Sequence, residues 1–379
     1  MLGSSLIQEA HGAECAVTAV KVPDYVLKYG NRFEGFRGTF HHITNNGFDR
    51  LAPLVWTHSE DPYQPSDIAT HVENTIPQIK YEPVQGVPSP LTLDNLDELN
   101  ALGGTDIFLT SKEGIRALPP WLQGVRPNKN GKTEGAVSSA IIVTERGDGV
   151  VDTFYFYFNA SVYQRTSDHP SLRRQQPSPL VDALAPEKRC REHNMIRFEN
   201  GQPQAIWYSQ HASGHAFEWN AVDKRGNRPI VFSSNGSHAV YATGGDHDHT
   251  IPGVELPIGL LVDKCDEGFL WDPTLSTYIF KYDRTAKQFS TYDGHTPVNW
   301  LNFDGQWGDE QLPDDAEGQK TLFGQRKYSS GPNGPKFKEL DRKNICPSKV
   351  GSCFIRKSLN LKEEEERELK RVRDESEAP

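Results

Sequence analysis

Residues 136–159, AVSSAIIVTERGDGVVDTFYFYFN, contain the clearest structural signal in the chain. Two runs rich in β-branched and aromatic residues flank ERGDG, whose Asp-Gly pair is typical of a tight hairpin turn. In the second run, Phe154 and Phe156 alternate with Tyr155 and Tyr157, so rings would face both sides of one strand. A strand with rings on both faces is expected to be covered on both, which places this hairpin in the middle of a sheet.

More strands are predicted on the C-terminal side of this hairpin. The strand-like runs are Ala205–Gln210, Ala216–Trp219, Pro229–Ser233 and Ala239–Thr243. A second hairpin is predicted from Thr277–Tyr282 and Gln288–Tyr292, joined by residues 283–287. Many short strands separated by Gly and Pro predict a β-rich protein, mainly β with few short helices, whose body is an antiparallel β-sandwich.

Two short helices and a charged C-terminal helix are also predicted. Leucines recur through Leu91–Leu99, and residues 110–113, Thr-Ser-Lys-Glu, resemble a capping box that would begin a second helix. The tail, residues 358–379, is densely charged, and pairs such as Glu363 and Arg367 have the i,i+4 spacing that supports a solvated helix. A partner-binding role for this tail helix is the less favoured alternative, because its apolar stripe is narrow.

The sequence divides into three parts. Residues 1–22 are predicted to be a mobile lead-in, residues 23–346 a single β-rich domain, and residues 347–379 a charged, partly helical tail. Two insert-like segments interrupt the domain, residues 30–50 and 164–191. The second is polar, basic and rich in Pro, so both are predicted to be loops.

The charge balance limits the kinds of partner. The 379 residues include 41 Lys and Arg against 51 Asp and Glu, which gives a formal net charge of −10. Because nucleic-acid binding depends on clustered Lys and Arg, this excess of acid argues against a nucleic-acid partner. The longest apolar runs are interrupted by Gly and Pro, so no transmembrane segment is predicted.

The N-terminus and the cysteines bear on the compartment. Glu9, His11 and Glu14 lie where a secretory signal peptide would have its apolar core, so no signal peptide is predicted. The cysteines are few and odd in number, which does not suggest a disulfide framework. The chain as given is therefore predicted to be soluble and cytoplasmic, with association with the vacuole as the alternative. No reactive role is assigned to its five cysteines, Cys15, Cys190, Cys265, Cys346 and Cys353.

The densest chemical signal is a run of histidines. Six of the 13 histidines fall between residues 193 and 249. Imidazole and carboxylate are the ligands that zinc and similar divalent ions prefer, so this segment predicts a metal site. The predicted ligands are Glu192, His193, His211 and His238, followed by His247 and His249. No HExxH or CxxC spacing is present, and packed structural histidines are the alternative.

Other candidate sites are weaker. Ser237 with a nearby histidine could act as a nucleophile, although Asn-Gly-Ser-His is not the G-x-S-x-G pattern. Exposed rings among Trp207, Tyr208 and Trp219 could stack on sugars. The carboxylates Glu60, Asp61 and Asp67 could bind calcium or perform acid–base chemistry, but their Pro- and Ser-rich context favours turns and helix caps.

Ordered blocks of sequence point to a known family. They include LVWTHSEDPYQPSDIATH, LTLDNLDELN, GGTDIFLTSKEG, GKTEGAVSSAIIV, EHNMIRFENGQPQAIWYSQH, NGSHAVYA, WDPTLSTY and GQWGDEQLPD, within residues 22–346. In these blocks the chain resembles the fungal family of vacuolar protein sorting-associated protein 62, whose domain is shared with plant proteins of unknown function. The resemblance implies a role in delivering proteins to the vacuole and partners among vacuolar trafficking proteins.

Two departures from the family coincide with the insert-like segments. The family runs from the tyrosine near Tyr29 almost directly into the APLVW block, and it has Gly-Asp-Trp where this chain has residues 188–191. We hypothesise that one or both segments derive from retained or misassigned intron sequence, which sequencing of the transcript tests. The sequence thus leaves three functions to compare: a trafficking or interaction protein, a metal-dependent hydrolase and a lectin-like β-sandwich.

Overall fold

The computed structural model describes residues 22–23, 26, 51–114, 117, 119–160, 192–248, 262–322, 325–350 and 353–376. The segments predicted as insert-like, 30–50 and 164–191, lie outside these ranges, as does nearly all of the predicted lead-in. The description below concerns the described ranges only.

The structure is built mainly from short strands. In chain order the strands are β1 (Leu54–Thr57), β2 (Thr75–Ile79), β3 (Glu82–Pro83), β4 (Phe108–Ser111), β5 (Ser139–Gly147), β6 (Val150–Tyr157), β7 (His193–Glu199), β8 (Gln202–Gln210), β9 (Ser213–Glu218), β10 (Lys224–Arg225), β11 (Arg228–Ser233), β12 (Val240–Tyr241), β13 (Gly245–Asp248), β14 (Val262–Cys265), β15 (Phe269–Trp271), β16 (Thr277–Asp283), β17 (Gln288–Thr291), β18 (Thr321–Leu322), β19 (Gln325–Arg326) and β20 (Ile355–Arg356).

Helices are few and mostly of the 3₁₀ type. The α-helices are α1 (Ile68–Glu73) and α2 (Leu361–Ser376), and the 3₁₀ helices are Leu96–Leu102, Gly104–Asp106, Pro120–Gln123, Trp219–Ala221, Pro273–Leu275, Asn299–Asn302, Pro335–Phe337 and Ser348–Val350. None of the helices in the described ranges combines the length and the apolar character needed to cross a bilayer.

The predicted hairpin forms the centre of the fold. β5 and β6 pair antiparallel, and the turn between them has positive φ at Asp148 and Gly149, as a type I′ turn requires. They lie inside an eight-stranded sheet of order β17-β16-β5-β6-β7-β8-β9-β20. The second predicted hairpin is also confirmed, because β16 and β17 pair antiparallel at one end of this sheet.

Both faces of the large sheet are covered, as the alternating rings predicted. Phe154 and Phe156 pack in a core with the Trp300 and Trp307 side chains on one face. Tyr155 and Tyr157 belong to a second core on the other face. That second core is shared with the sheet of order β10-β11-β1-β15, so two sheets sandwich it. The β-rich, sandwich-like prediction is confirmed.

Pairing departs from a purely antiparallel arrangement in three places. β1 pairs parallel with β11, β16 with β5, and β20 with β9. The partners in each pair are more than a hundred residues apart in sequence, so each pairing is made after a long excursion of the chain. A hairpin pattern in the sequence identifies antiparallel neighbours only, because a tight turn cannot join parallel strands.

Two predicted helices differ from the structure. The helix predicted over Leu91–Leu99 is a 3₁₀ helix at Leu96–Leu102, although Leu93, Leu96 and Leu99 are all buried as the pattern required. The capping-box prediction is wrong within the described residues. Ser111 belongs to β4 and is opposite Thr75 of β2, so pairing in a sheet replaces the predicted helix start.

The C-terminal tail is helical, and two of the cysteines near it are bonded to each other. The charged tail forms α2, as predicted. The cysteines showed no disulfide pattern in the sequence, yet Cys346 and Cys353 form a disulfide with Cα atoms 5.5 Å apart. An odd total of cysteines does not exclude a local pair, because two cysteines seven residues apart can meet across a single loop.

Candidate functional site

Polar loops meet where two parallel strands end. β1 and β11 are neighbours and run in the same direction. The loops that follow Thr57 and Ser233 therefore leave the sheet side by side, at the C-terminal ends of these two strands. Residues 58–66 and 234–239 form these loops. We call the side chains gathered here the acid–histidine cluster: Asp61, Glu192, Ser209, His211, Ser237, His238, Tyr241 and Asp263.

Asp61 joins the two loops. Its Oδ1 accepts a hydrogen bond of 2.9 Å from the Tyr63 N–H, and its Oδ2 accepts one of 2.8 Å from the Gly236 N–H. The His238 Nε2 lies 3.1 Å from the same Oδ2. Asp61 and His238 are 4% and 3% exposed, so this is a buried carboxylate–imidazole pair.

The pKa of His238 reflects that environment. Burial lowers the pKa, but the charge of the Asp61 carboxylate, its hydrogen bond to the imidazole and a backbone hydrogen bond to Tyr63 outweigh it, with a smaller contribution from the charge of Glu192, so the pKa is raised above its ordinary value of 6.5. Glu192 therefore lies close enough to His238 to act on it electrostatically. The predicted ligands Glu192 and His238 are brought to one region of the fold.

Glu192 is anchored by a strand neighbour. The Ser209 Oγ donates a short hydrogen bond to the Glu192 carboxylate and accepts one of 2.8 Å from the His193 N–H. Ser209 lies near the C-terminal end of β8, beside the start of β7. The hydrogen bond from Ser209 therefore fixes the position of the Glu192 carboxylate within the acid–histidine cluster.

His193 faces the opposite side of the sheet. Successive side chains of a strand alternate between faces, so adjacent residues cannot reach one site from an extended backbone. The His193 ring stacks on Phe156 at 5.2 Å, and its Nε2 accepts a hydrogen bond of 3.1 Å from the Arg342 guanidinium. Because a guanidinium can only donate, this bond occupies the lone pair that a metal would need.

Asp263 organises the second half of the cluster. Its carboxylate accepts hydrogen bonds from the Ser237 Oγ at 2.7 Å and the Tyr241 hydroxyl at 2.6 Å, and its Oδ2 lies 2.6 Å from the His211 Nε2. Burial and the nearby Asp263 charge raise the pKa of Tyr241 far above its ordinary value, so the hydroxyl keeps its proton. Ser237 and His238 are adjacent, which connects this half to Asp61.

This arrangement bears on the predicted nucleophile. In a nucleophilic pair the imidazole accepts the serine proton directly. Here the Ser237 Oγ and the His211 Nε2 both contact the Asp263 carboxylate, one at each oxygen. In the described structure, the His211 imidazole therefore bonds to the Asp263 carboxylate, as the Ser237 hydroxyl does, and the Ser237 proton is donated to Asp263.

The remaining predicted ligands lie at the margin. The His247 ring stacks on Tyr241 with centroids 3.9 Å apart, and its Nε2 lies 2.8 Å from the Thr243 carbonyl oxygen. Burial lowers the pKa of His247. His249 lies outside the described residues. Within those ranges, no three His, Cys, Asp or Glu side chains are arranged so that they could hold a metal ion.

The metal site stays a prediction, and elemental mass spectrometry of the purified chain tests it. About one zinc or similar ion per chain, lost when His211 and His238 are both changed to Ala, would support it. His193→Ala is the matched control, because His193 lies on the other face of the sheet and its loss should leave any metal in place.

Two of the predicted sugar-stacking rings are in the core. Trp207 is 1% exposed and Tyr208 is fully buried, so neither ring can stack on a ligand from solution. Trp219 is partly buried, and the Lys224 ammonium lies 5.3 Å from its ring. The adjacent rings of Trp207 and Tyr208 in β8 therefore serve core packing.

Sequence reasoning missed the partners of the histidines. Asp61 was interpreted as a turn residue, and its bond from the Tyr63 N–H is such a turn, but it also pairs with His238. Asp263 and Ser209 gave no signal, because neither belongs to a recognisable motif. Only the parallel pairing of β1 with β11 places Asp61 next to residues 234–239, and that pairing is not visible in the sequence.

The Asp61–His238 pair predicts a pH dependence of stability. A histidine whose pKa is raised by folding contributes stability that is complete below its unfolded pKa, near 6.5, and is lost as the pH rises through the folded pKa. We expect the unfolding free energy to fall above pH 6.5 with a contribution from His238 of at most about 1.4 kcal/mol per pH unit. Urea unfolding at a series of pH values measures it.

The control for this prediction is His238→Gln, which keeps a polar side chain of similar length but cannot titrate. The variant should be less stable than the parent at low pH, and the difference should shrink as the pH rises. Parallel stability curves for the two proteins would contradict the prediction.

Comparisons with known proteins connect this structure to a family. Residues 190–320, which carry much of the acid–histidine cluster, match the family described as vacuolar protein sorting-associated protein 62. The relative TDA6 of Saccharomyces cerevisiae, provisionally named as vacuolar protein sorting-associated, is 33% identical over 328 residues, covering 78% of this chain and 66% of that protein. Vacuolar protein sorting-associated protein 62 of the same yeast is 28% identical over 324 residues, with the same coverage of 78% and 66%.

The matches cover most of this chain and about two thirds of each relative. This chain spans 66% of the length of each of the two relatives. No solved structure matches it. The agreement runs through ordered blocks along most of the chain, and it shows that the chain belongs to the family of vacuolar protein sorting-associated protein 62.

Proposed function

We propose that this chain takes part in the delivery of proteins to the vacuole and acts there by binding other trafficking proteins. The observation that carries the proposal is the 33% identity over 328 residues to a relative whose name refers to vacuolar protein sorting. Because this chain spans 66% of that relative, the proposal concerns the shared part of the two proteins.

The contacts of the acid–histidine cluster support a binding protein over a hydrolase. The Asp61–His238 pair holds two loops together, and Asp263 accepts bonds from two further residues of that region, Ser237 and Tyr241. Buried polar groups that satisfy one another in this way fix the conformation of loops. Well-defined loops on a rigid sandwich are a common basis for recognition of a partner.

A deletion experiment tests the proposed function. In the host organism, loss of the gene is expected to divert a soluble vacuolar hydrolase reporter from the vacuole to the medium. The fraction secreted, measured by immunoblot, should return to the parental level when the full chain is expressed from a plasmid. Normal delivery of several reporters in the deletion strain would contradict the proposal.

The matched controls separate function from folding. The variant His193→Gln alters a packed residue away from the loops, and Asp61→Asn weakens the pair that joins them. We expect Asp61→Asn, present at parental abundance, to restore delivery less well than His193→Gln. A metal-dependent hydrolase remains the alternative function, and stoichiometric metal with turnover of a substrate would favour it.

A further inference from the structure

The Cys346–Cys353 disulfide joins the body of the sandwich to the C-terminal end of the described chain. Cys346 is 5% exposed and belongs to the core beneath the large sheet. Cys353 begins the C-terminal unit, which we define as residues 353–376 and which contains β20 and α2. The bond therefore connects the body of the sandwich to this unit.

The Cys346 side is firmly attached to the body. Arg342, 3% exposed, donates hydrogen bonds to the Ile345 carbonyl at 3.3 Å and the Lys338 carbonyl at 2.8 Å. The Arg197 guanidinium of β7 donates to the Lys343 carbonyl at 3.1 Å. This segment is therefore bonded to the large sheet and to itself before Cys346 is reached.

The C-terminal unit is held together mainly by its own residues. The Arg367 guanidinium donates to the Ile355 carbonyl at 2.9 Å and pairs with Glu364 at 2.7 Å. The Arg371 guanidinium donates to the Cys353 carbonyl at 3.3 Å. Both guanidiniums also lie over the Phe354 ring, at 4.8 and 5.2 Å. The helix thus folds back onto the strand that precedes it.

Among the described residues, the Cys353 side chain packs partly buried against the core beneath the large sheet, and the backbone pairing of this unit with the body is short. β20 pairs with β9 through two residue pairs only. The Lys357–Glu218 ion pair is 3.7 Å long, with side chains 65% and 48% exposed, and such surface pairs contribute little. Leu359 and Leu361 add partly buried apolar contact with the core between the sheets.

We propose that the Cys346–Cys353 disulfide is a thiol-responsive latch that holds the C-terminal unit on the edge of the large sheet. A dithiol reductant transfers two electrons and two protons: the S–S bond breaks to give two thiols, and the dithiol becomes a disulfide. Without the bond, the unit opens from the body on its own and uncovers the edge of β9.

Hydrogen exchange read by mass spectrometry tests the latch on the full chain. With a phosphine reductant, amides of β9 and of residues 353–371 are expected to exchange about tenfold faster or more, while the β5–β6 hairpin is unchanged. Alkylation followed by intact mass confirms that both thiols have formed. The double variant Cys346→Ser, Cys353→Ser should exchange like the reduced parent, and adding reductant to it should change nothing further.

Two results would overturn the proposal. Unchanged protection of β9 in a fully reduced sample would show that the unit stays docked without the bond. Faster exchange throughout the large sheet, with β5 and β6 affected as much as β9, would show that the bond supports the whole fold and does not act as a local latch.

Discussion

Replacing Arg228 with methionine is expected to lower the free energy of unfolding by about 3–5 kcal/mol, because the change leaves a buried carboxylate without its cation. The Arg228 guanidinium forms a two-bond contact with Asp272, at 2.6 and 2.7 Å, and both side chains are buried. It also donates to the Ala52 and Pro53 carbonyls at 2.7 and 3.1 Å. Equilibrium unfolding in urea measures the loss.

This residue ties together three neighbouring strands. Arg228 begins β11, Ala52 and Pro53 lead into β1, and Asp272 follows β15. Loss of the guanidinium therefore removes hydrogen bonds at the same end of three strands, and it also leaves the buried charge of Asp272 without its cation. Adding Asp272→Asn to Arg228→Met removes that charge, so the double variant should recover part of the stability.

A surface ion pair supplies the matched control. Arg326 pairs with Asp314, and these side chains are 35% and 64% exposed. Arg326→Met removes a guanidinium from solvent-exposed surroundings, where water screens the ion pair, so we expect a much smaller loss of stability than for Arg228→Met. Equal losses for Arg228→Met and Arg326→Met would contradict the claim that burial determines the effect.

The sequence predicted the central sheet well because its signals are local. Alternation of Phe154 and Phe156 with Tyr155 and Tyr157 reports which faces are buried, and the Asp-Gly turn reports the pairing of β5 with β6. Both signals lie within about twenty residues. The capping box at residues 110–113 was misleading, because the pairing of Ser111 with β2 decides the conformation there.

The candidate site was only partly predictable, and the reason is topological. A cluster of histidines in sequence indicates proximity only if their strands end at one edge and their side chains share a face. Glu192 and His238 meet this condition, while His193 points to the opposite core. Asp61 and Asp263 come from distant parts of the chain, and only the assembled sheets bring them to the histidines.

Gly124→Ala is expected to destabilise the fold by about 2–6 kcal/mol, the sum of about 1–3 kcal/mol of strain from a positive-φ, extended-ψ conformation that only glycine adopts readily and a steric cost of about 1–3 kcal/mol. Gly124 has φ of +68°, and a Cβ there would lie 2.0 Å from the Gln64 carbonyl oxygen. Two backbone bonds flank this contact: Gln64 N–H to the Gln123 carbonyl and Val125 N–H to the Pro65 carbonyl, both 2.8 Å. To make room for a Cβ, the backbone at residues 64–65 and the backbone at residues 123–125 must therefore move apart.

The consequence should extend to the acid–histidine cluster. The Gln64 Nε2 donates to the Asp61 carbonyl at 2.9 Å, so a displaced Gln64 shifts the loop that presents the Asp61 carboxylate to His238. We therefore expect Gly124→Ala to weaken the pH dependence assigned to His238 as well as the overall stability. Gly135→Ala is the control, since Gly135 has φ of +73° but nothing within 4 Å of a Cβ. It should lose only the strain term and keep the pH dependence; equal effects of the two substitutions would show that Gly124 does not position Asp61.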